Sequence, residues 1–363
     1  MSERQDSVEQ MSADSDSGAG IVADPPDESE QSEHVEEIIQ QVRRRRHKLL
    51  RIAPMLEALI LLVVFGLGLG SGYVAWGRSP ANQESRTEAD RASLVKQVNP
   101  PEGFKLAAVY GDIGPKVLAA GGIDEQKFVE LYKQNGKPLS DEQMAILRGN
   151  VGSPIVVNSQ NSYFLLNFFW AVGLTNKNPV LEQGPMTLAP SPGGAAASAG
   201  VQGGKAQVGG FASTGGWTLG TKDATTLYSS AELFNLTSEQ QARVEEVAKN
   251  AYRPCCGNST YFPDCNHGMA LLGLLELMAS QGATVDQMYT AAKQVNAFWF
   301  PDQMLDVATY MKAVEGKDFG AADARRVVSA ELFSSAGYQK VFKQLTDKGL
   351  LPQEGGSGPS CGV

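Results

Sequence analysis

The chain has few of the residues on which enzyme chemistry usually depends. Its 363 residues include only three histidines and four cysteines. It lacks the Gly-x-Ser-x-Gly and His-Glu-x-x-His motifs, the phosphate-binding loop and the dinucleotide fingerprint, each of which marks a common catalytic or cofactor site. The absence of Cys-x-x-Cys-His likewise disfavours covalent haem. An enzyme is therefore the less favoured class, although a cysteine–histidine pair keeps that alternative open.

Acidic residues also outnumber basic residues in this chain. The net charge is -9 and the sequence pI is about 5.0, so the chain lacks the basic surface through which proteins bind nucleic acid. Residues 1–42 are rich in Asp, Glu, Ser and Gln and contain no aromatic residue. Such a segment buries too little apolar surface to offset the entropy cost of ordering it. We therefore predict that residues 1–42 form a disordered acidic tail.

The one basic run lies immediately before a strongly apolar stretch. Residues 43–53 form a basic juxtamembrane segment, and residues 54–78 follow as a predicted transmembrane helix, because a span needs about 20 mainly apolar residues. The arginines on the amino-terminal side place that side in the cytoplasm. The predicted location is the cell membrane, with a single pass, a cytoplasmic tail and an extracytoplasmic carboxyl-terminal domain. The alternative is a signal peptide removed after Ala81.

Four glycines inside this predicted span form two overlapping small-xxx-small patterns: Gly66, Gly68, Gly70 and Gly72. Small residues at this spacing let two membrane helices approach closely. The pattern therefore predicts a homodimer within the membrane. Glycine is also common in membrane helices in general, and that simpler explanation stays open.

The remainder of the chain is predicted to be mainly α. Apolar residues recur at helical spacing, capping residues precede several of these stretches, and few runs alternate with the period of a strand. Residues 163–174 are strongly apolar but too few to span a membrane, which predicts a buried helix. The predicted layout is a stalk at 79–103, a helical subdomain at 104–183, a Gly/Ala/Ser-rich flexible insertion at 184–216, a second helical subdomain at 217–350 and a flexible Gly-rich tail at 351–363.

The two predicted helical subdomains share a pattern. The run LSDEQ at residues 139–143 is similar to LTSEQ at 236–240. Each is followed by a proline, a polar loop and a strongly apolar helix, and the second copy has PCC at 254–256 where the first has PIV at 154–156. Two related helix-loop-helix halves would explain this pattern. Chance similarity between two capped helices is the alternative.

Three cysteines and one histidine fall within one short segment, as Cys255-Cys256-x8-Cys265-x-His267. Thiolate and imidazole are the usual ligands of zinc and also suit copper. We predict that Asp264 caps the following helix, which would place Cys265 and His267 in its first turn, where the helix dipole favours a thiolate. The four side chains would form a closed Cys3His shell around a zinc or copper ion. The role would be structural or would lie in metal handling.

The same residues allow other interpretations. Thiols outside the cytoplasm tend to oxidise, and Cys361 in the Gly-rich tail could complete two disulfides in an interaction domain without metal. A single disulfide between Cys255 and Cys265 would leave a third thiol for a redox protein. A catalytic pair would use Cys256 or Cys265 as nucleophile and His267 as base.

Two further ideas involve the tail cysteine. An iron–sulfur cluster could use all four cysteines. Alternatively, Cys361 on its Gly-rich arm could pass a soft metal to or from the cysteine segment. Both ideas require the tail to reach that segment.

The run PCCG at 254–257, followed by Asp264, Cys265 and a helix, resembles the exported bacterial proteins of unknown function that are named for a PCYCGC motif. Those proteins also place cysteines before a helix that ends at a glycine. In this chain the second and third motif cysteines are out of register, and the resemblance covers at most about residues 254–295. It implies a bacterial cell-envelope protein and implies no activity.

Overall fold

A computed structural model describes residues 90–188 and 207–351, together with Val63. All of these residues except Val63 belong to one compact unit that begins at Glu84. The predicted acidic tail, basic segment, membrane helix with its glycines, and Gly-rich tail lie outside the described residues, apart from Val63 and Leu351. Among the described residues, no helix has the length and apolar character needed to cross a membrane.

Two strands, β1 (Phe104–Gly111) and β2 (Val151–Val157), form a small antiparallel sheet. Val109 lies opposite Pro154, and the register shifts on either side of that pair. Alternate side chains of β1 are buried, which is the period of two that a half-buried strand shows. Both strands fall within the segment that we predicted to be mostly helical, and the prediction is wrong there.

The remaining elements of the described chain are mostly helices. In chain order they are α1 (residues 90–98), α2 (Ile113–Ala119), α3 (Glu125–Gln134), α4 (Asp141–Arg148), α5 (Ser162–Thr175), α6 (Pro179–Glu182), α7 (Pro185–Leu188), α8 (Ala212–Gly215), α9 (Ala224–Leu227), α10 (Ser238–Asn250), α11 (Asn266–Ser280), α12 (Val285–Trp299), α13 (Pro301–Glu315), α14 (Ala324–Val327), α15 (Ala330–Phe333) and α16 (Ser335–Asp347). Short 3-10 turns lie at Val208–Gly210 and Phe319–Ala321. The mainly α fold class is confirmed for the described residues.

Capping residues begin several helices where the sequence predicts them. Ser140, Thr237 and Thr284 each form a capping box with the glutamine three residues later, which satisfies backbone N–H groups that the helix itself leaves unpaired. Pro301 occupies the first turn of α13. Gly282 follows α11 with a φ of 84°, a conformation that glycine adopts without strain.

The centre of the unit is the contact between α5 and α11. Both helices are apolar and almost entirely buried, as expected of a helix inside a core; the predicted buried helix at 163–174 is confirmed. Their backbones meet at Gly173 and Gly273. A Cβ on Gly173 would lie 2.2 Å from the Met269 carbonyl oxygen, and one on Gly273 would lie 2.6 Å from that of Phe169. Only glycine fits at these two positions without displacing the backbone.

Both predicted helical subdomains contribute to the larger apolar core, which draws residues from Leu106 to Val328. They therefore build one shared interior. A smaller second core joins residues of α1, α13 and α16. Leu94 and Val98 of α1 are buried in it. The predicted stalk at 79–103 is thus wrong over its second half, because residues 90–98 form a packed helix.

The predicted flexible insertion at 184–216 is wrong at both ends. Helix α7, the turn Val208–Gly210 and helix α8 lie within those bounds, and Met186 and Val208 are fully buried. Trp170 anchors the second end, because its indole Nε1 donates a hydrogen bond of 2.6 Å to the Ser213 carbonyl oxygen. Residues 189–206 lie outside the described part of the chain.

Candidate metal centre

The cysteine segment is a loop of residues 251–265 that connects α10 to α11. Its backbone is held by hydrogen bonds with several residues outside the loop. Tyr252 N–H donates to the Val328 carbonyl oxygen at 2.8 Å, and the Cys256 carbonyl oxygen accepts from Ser335 N–H at 3.0 Å. The side chain of Cys255 packs against the second core. The loop is thus fixed between the two cores.

Three sulfurs converge at this loop. The Sγ atom of Cys255 lies 3.6 Å from that of Cys265 and 3.9 Å from that of Cys256, and all three sulfurs lie within 4.8 Å of one another. Thiolates on a tetrahedral zinc, at Zn–S distances of about 2.3 Å, are separated by about 3.8 Å. These three cysteines could therefore hold a metal ion. Their separations exceed the disulfide bond length of about 2.05 Å, and the described residues contain no disulfide.

Cys265 itself is the residue that caps α11. Its backbone is extended, with φ -122° and ψ 166°, and the helix begins at Asn266. The prediction that Asp264 caps this helix is wrong. The Asp264 carboxylate turns back to the loop instead, where it accepts hydrogen bonds from Arg253 and from Asn258 Nδ2. The cysteine sulfur, rather than the carboxylate, therefore lies at the start of the helix.

A buried arginine adjoins the sulfurs. Only 1 % of Arg253 is exposed, and its Nε donates to Cys265 Sγ at 3.0 Å. Its two terminal nitrogens donate to the carbonyl oxygens of Asn258 and Phe262, each at 3.2 Å, and to the Asp264 carboxylate. The guanidinium therefore links the cysteine cluster to the backbone of its own loop.

The three thiols differ in acidity. Hydrogen bonds from Cys255 and Cys256, then the Arg253 charge and a hydrogen bond from His267, hold the pKa of Cys265 well below its ordinary value, against the opposing effect of burial. Hydrogen bonds to the other two sulfurs, with burial, raise the pKa of Cys255. The Cys255 hydrogen bond lowers the pKa of Cys256, but the bond to Cys265 and burial together raise it to about 12.

Cys265 is thus the most acidic of the three thiols, and Cys255 and Cys256 keep their protons more firmly. A metal ion that engages all three sulfurs has to displace these protons. Because ligand protonation competes with metal binding, the affinity of the cluster for metal should rise with pH.

His267 lies in the first turn of α11 and is buried. Its ring packs against Phe300 at a centroid distance of 4.4 Å and against Trp299 at 5.9 Å, and its Nδ1 has no hydrogen-bond partner. The group of mutually close ligand atoms in the described chain consists of the three cysteines without His267. The predicted role of His267 as a fourth ligand stays a prediction.

The sequence analysis missed Arg253 and Gly268. Arginine beside proline in a loop is unremarkable, so no sequence pattern marks its burial. The structure explains why residue 268 is a glycine, because a Cβ at this position would lie 2.6 Å from the Arg253 Cζ. The guanidinium thus occupies space that any other residue at 268 would fill. The remaining cysteine, Cys361, lies outside the described residues.

Comparison of the chain with protein-family models, curated proteins and solved structures gives no match. The resemblance to the PCYCGC-motif proteins stays a prediction that rests on residues 254–295 alone. The geometry of the cysteine loop is therefore the basis on which a function is inferred.

Proposed function

We propose that Cys255, Cys256 and Cys265 bind one zinc or copper ion through their sulfurs. The observation that supports this most directly is the set of Sγ separations, 3.6 Å and 3.9 Å, which match the edges of a thiolate shell around a single ion. Two residues adjacent in the chain and a third from the start of a helix supply the ligands. The metal then ties the loop to α11.

His267 is the fourth ligand of this proposal. Its Nδ1 is buried without a hydrogen-bond partner, and an unpaired buried nitrogen costs free energy that coordination would recover. The imidazole also lies close enough to Cys265 to influence the pKa of that thiol. A Cys3His shell has no open position, so a zinc bound there would stabilise the fold rather than activate water. Copper in its reduced state is the other candidate because thiolates are soft ligands.

Thiol redox chemistry is the second candidate function. The neighbours of Cys265 hold the pKa of its thiol well below the ordinary value, and the Cys255 sulfur lies 3.6 Å away. Thiolates are the nucleophiles of disulfide exchange. In the metal-free cluster Cys265 would attack an external disulfide and release one thiol, and Cys255 would then displace the second thiol to leave a Cys255–Cys265 disulfide. Burial of Cys265 restricts its access to a large substrate, which favours the metal proposal. If Cys361 joins the other three cysteines and the four form two disulfides, the protein would instead be a disulfide-stapled interaction domain without metal.

We further propose that residues 54–78 anchor this domain in a membrane, with residues 1–42 in the cytoplasm and the metal centre outside it. The support is the basic run at 43–53 followed by an apolar segment of spanning length. Alkaline phosphatase fused after Leu351 should be active in bacterial cells, since that enzyme folds only where disulfides form. An inactive fusion of full length would contradict the proposed orientation.

The metal proposal is tested by elemental analysis of the full chain, purified without metal-affinity resin, alongside titration of free thiols. We expect about one zinc or copper per chain in the wild type and in Cys361→Ser, which serves as the matched cysteine control. The double variant Cys256→Ser/His267→Ala should lose the metal. A metal-free wild type with its thiols oxidised would contradict the proposal and favour the disulfide alternative.

A further inference from the structure

Arg253 is a buried cation with contacts that single out one ligand of the proposed centre. Its Nε points at the Cys265 sulfur at 3.0 Å. The other donors are used on fixed groups of the same loop, namely two backbone carbonyl oxygens and the Asp264 carboxylate. Because a guanidinium is planar and rigid, these outer contacts fix the direction in which Nε approaches the sulfur.

The chain leaves room for this arrangement at the first turn of α11. A Cβ on Gly268 would come within 2.6 Å of the Arg253 Cζ and terminal nitrogen and 3.0 Å of its other terminal nitrogen. The absence of a side chain at 268 therefore lets the guanidinium lie against the helix start. That position also brings Nε to Cys265, the residue immediately before the helix.

The charge of Arg253 would offset the net charge that a bound metal and its thiolates carry. Three thiolates around a divalent ion carry one net negative charge, and a buried net charge is costly unless it is paired. Arg253 is 1 % exposed, whereas the side chain of its other partner, Asp264, is 21 % exposed and in contact with water. The arginine is therefore the buried positive charge available to the thiolate–metal assembly at this loop.

We infer that Arg253 is a positioning residue for the metal centre: it orients the Cys265 thiolate and balances the charge of the loaded cluster. The inference rests on the proposed metal site and adds a second layer to it. Groups that hold metal ligands from outside typically account for about 10- to 100-fold in metal affinity. Arg253 is expected to act within that range although it never touches the metal.

The test measures zinc affinity by competition with a chromophoric chelator in the full chain. Arg253→Met, which keeps the length of the side chain and removes its donors and charge, should weaken zinc binding about 10- to 100-fold. Arg253→Lys retains the charge without the rigid fork and should fall between Met and wild type. Arg326→Met is the matched control, because the Arg326 guanidinium forms ion pairs with Glu315 and Glu331 and with no group of the cysteine loop, and its zinc affinity should equal that of wild type.

Cobalt substitution supplies a readout that a loss of stability alone would not change. The sulfur-to-cobalt charge-transfer band should shift in Arg253→Met and stay in place in Arg326→Met. If Arg253→Met does not fold, Gly268→Ala decides the question, since the added methyl displaces the guanidinium. A folded Gly268→Ala protein should bind zinc more weakly by about tenfold and show a shifted band.

The outcomes separate this inference from the function on which it rests. A wild type that binds neither zinc nor cobalt removes the metal site itself. A wild type that binds metal, with Arg253→Met or folded Gly268→Ala matching it in zinc affinity and cobalt spectrum, leaves the metal site intact and overturns the role of Arg253.

Discussion

The segments that follow residues 153 and 253 show how one local pattern can serve two purposes. PIVVNS at 154–159 and PCCGNS at 254–259 are matched at a spacing of 100 residues, and each leads into one of the two helices that meet at Gly173 and Gly273. In the first segment Ile155 and the later Leu165 are buried in the apolar core. At the corresponding positions of the second segment stand Cys255 and Cys265.

The two segments also differ in backbone. Residues 151–157 pair with β1 as a strand, whereas residues 253–258 form a loop closed by a bridge between Tyr252 and Ser259. Ser153 is exposed, while Arg253 at the corresponding position is buried beside the sulfurs. The first segment thus joins a sheet and buries Ile155 in the apolar core. The second segment has thiols and a buried arginine at the corresponding positions. Under the proposed function, a metal ion fixes this segment to α11.

The largest effect that could break this comparison comes from matched substitutions at 165 and 265. Cys265→Ser should reduce the metal content from about one per chain to near zero. Leu165→Ala should leave the metal content unchanged and lower the free energy of unfolding by about 2–5 kcal/mol, the cost of a cavity in a core. Elemental analysis and urea unfolding of both variants check this. Equal metal content in the two proteins would contradict the division of roles.

A smaller effect is expected at the two glycines where α5 and α11 meet, because the two positions should behave alike. Gly173→Ala and Gly273→Ala each place a methyl against the backbone of the facing helix. Overpacking of this kind costs about 1–3 kcal/mol, and both variants should lose stability by similar amounts and retain their metal. Urea unfolding is the measurement. A loss confined to one of the two glycines would show that the helices do not contribute symmetrically.

The smallest predicted effect concerns Glu276 on α11, which lies 100 residues after Asn176. Glu276 is fully buried, with no hydrogen-bond partner for either carboxylate oxygen, and this burial raises its pKa well above 4.5. Because the folded-state pKa is raised, the protonated Glu276 carboxyl group favours folding. This contribution is complete below the unfolded-state pKa near 4.5 and is lost as the pH rises through the folded-state pKa.

Glu276→Gln should therefore be more stable than wild type at pH 8, by about 1 kcal/mol, the lower end of the cost of a buried polar group left unpaired. The difference should shrink as the pH falls to 4. Thermal unfolding across this pH range checks the prediction, with the exposed Glu246→Gln as control. A pH-independent difference between Glu276→Gln and wild type would contradict the assignment.

The sequence allowed the helices to be predicted well where local chemistry marks them. The capping residues Ser140, Thr237 and Thr284 begin helices, and the apolar run at 163–174 is a buried helix. The strand at 104–111 was missed, although its buried residues alternate, because its alanines and short length also fit a helix. At 207–216 the composition predicted a flexible linker, but Ser213 and Gly216 lie against Trp170.

The candidate site was predictable only in part. Soft ligands so close together along the chain identify the cysteine cluster, and the structure brings Cys255, Cys256 and Cys265 together. The burial of Arg253, its contact with Cys265 and the need for glycine at 268 depend on how the loop folds back on α11. No periodicity or spacing in the sequence predicts that the loop folds back on α11.

The most direct test of the account is X-ray absorption spectroscopy at the edge of the metal bound to the purified full chain. For zinc, we predict three sulfur neighbours at about 2.3 Å and one nitrogen at about 2.0–2.1 Å, as expected of Cys255, Cys256, Cys265 and His267. Four sulfurs would contradict the role of His267 and point to Cys361 as the fourth ligand. A shell of oxygen and nitrogen without sulfur would contradict the thiolate centre itself.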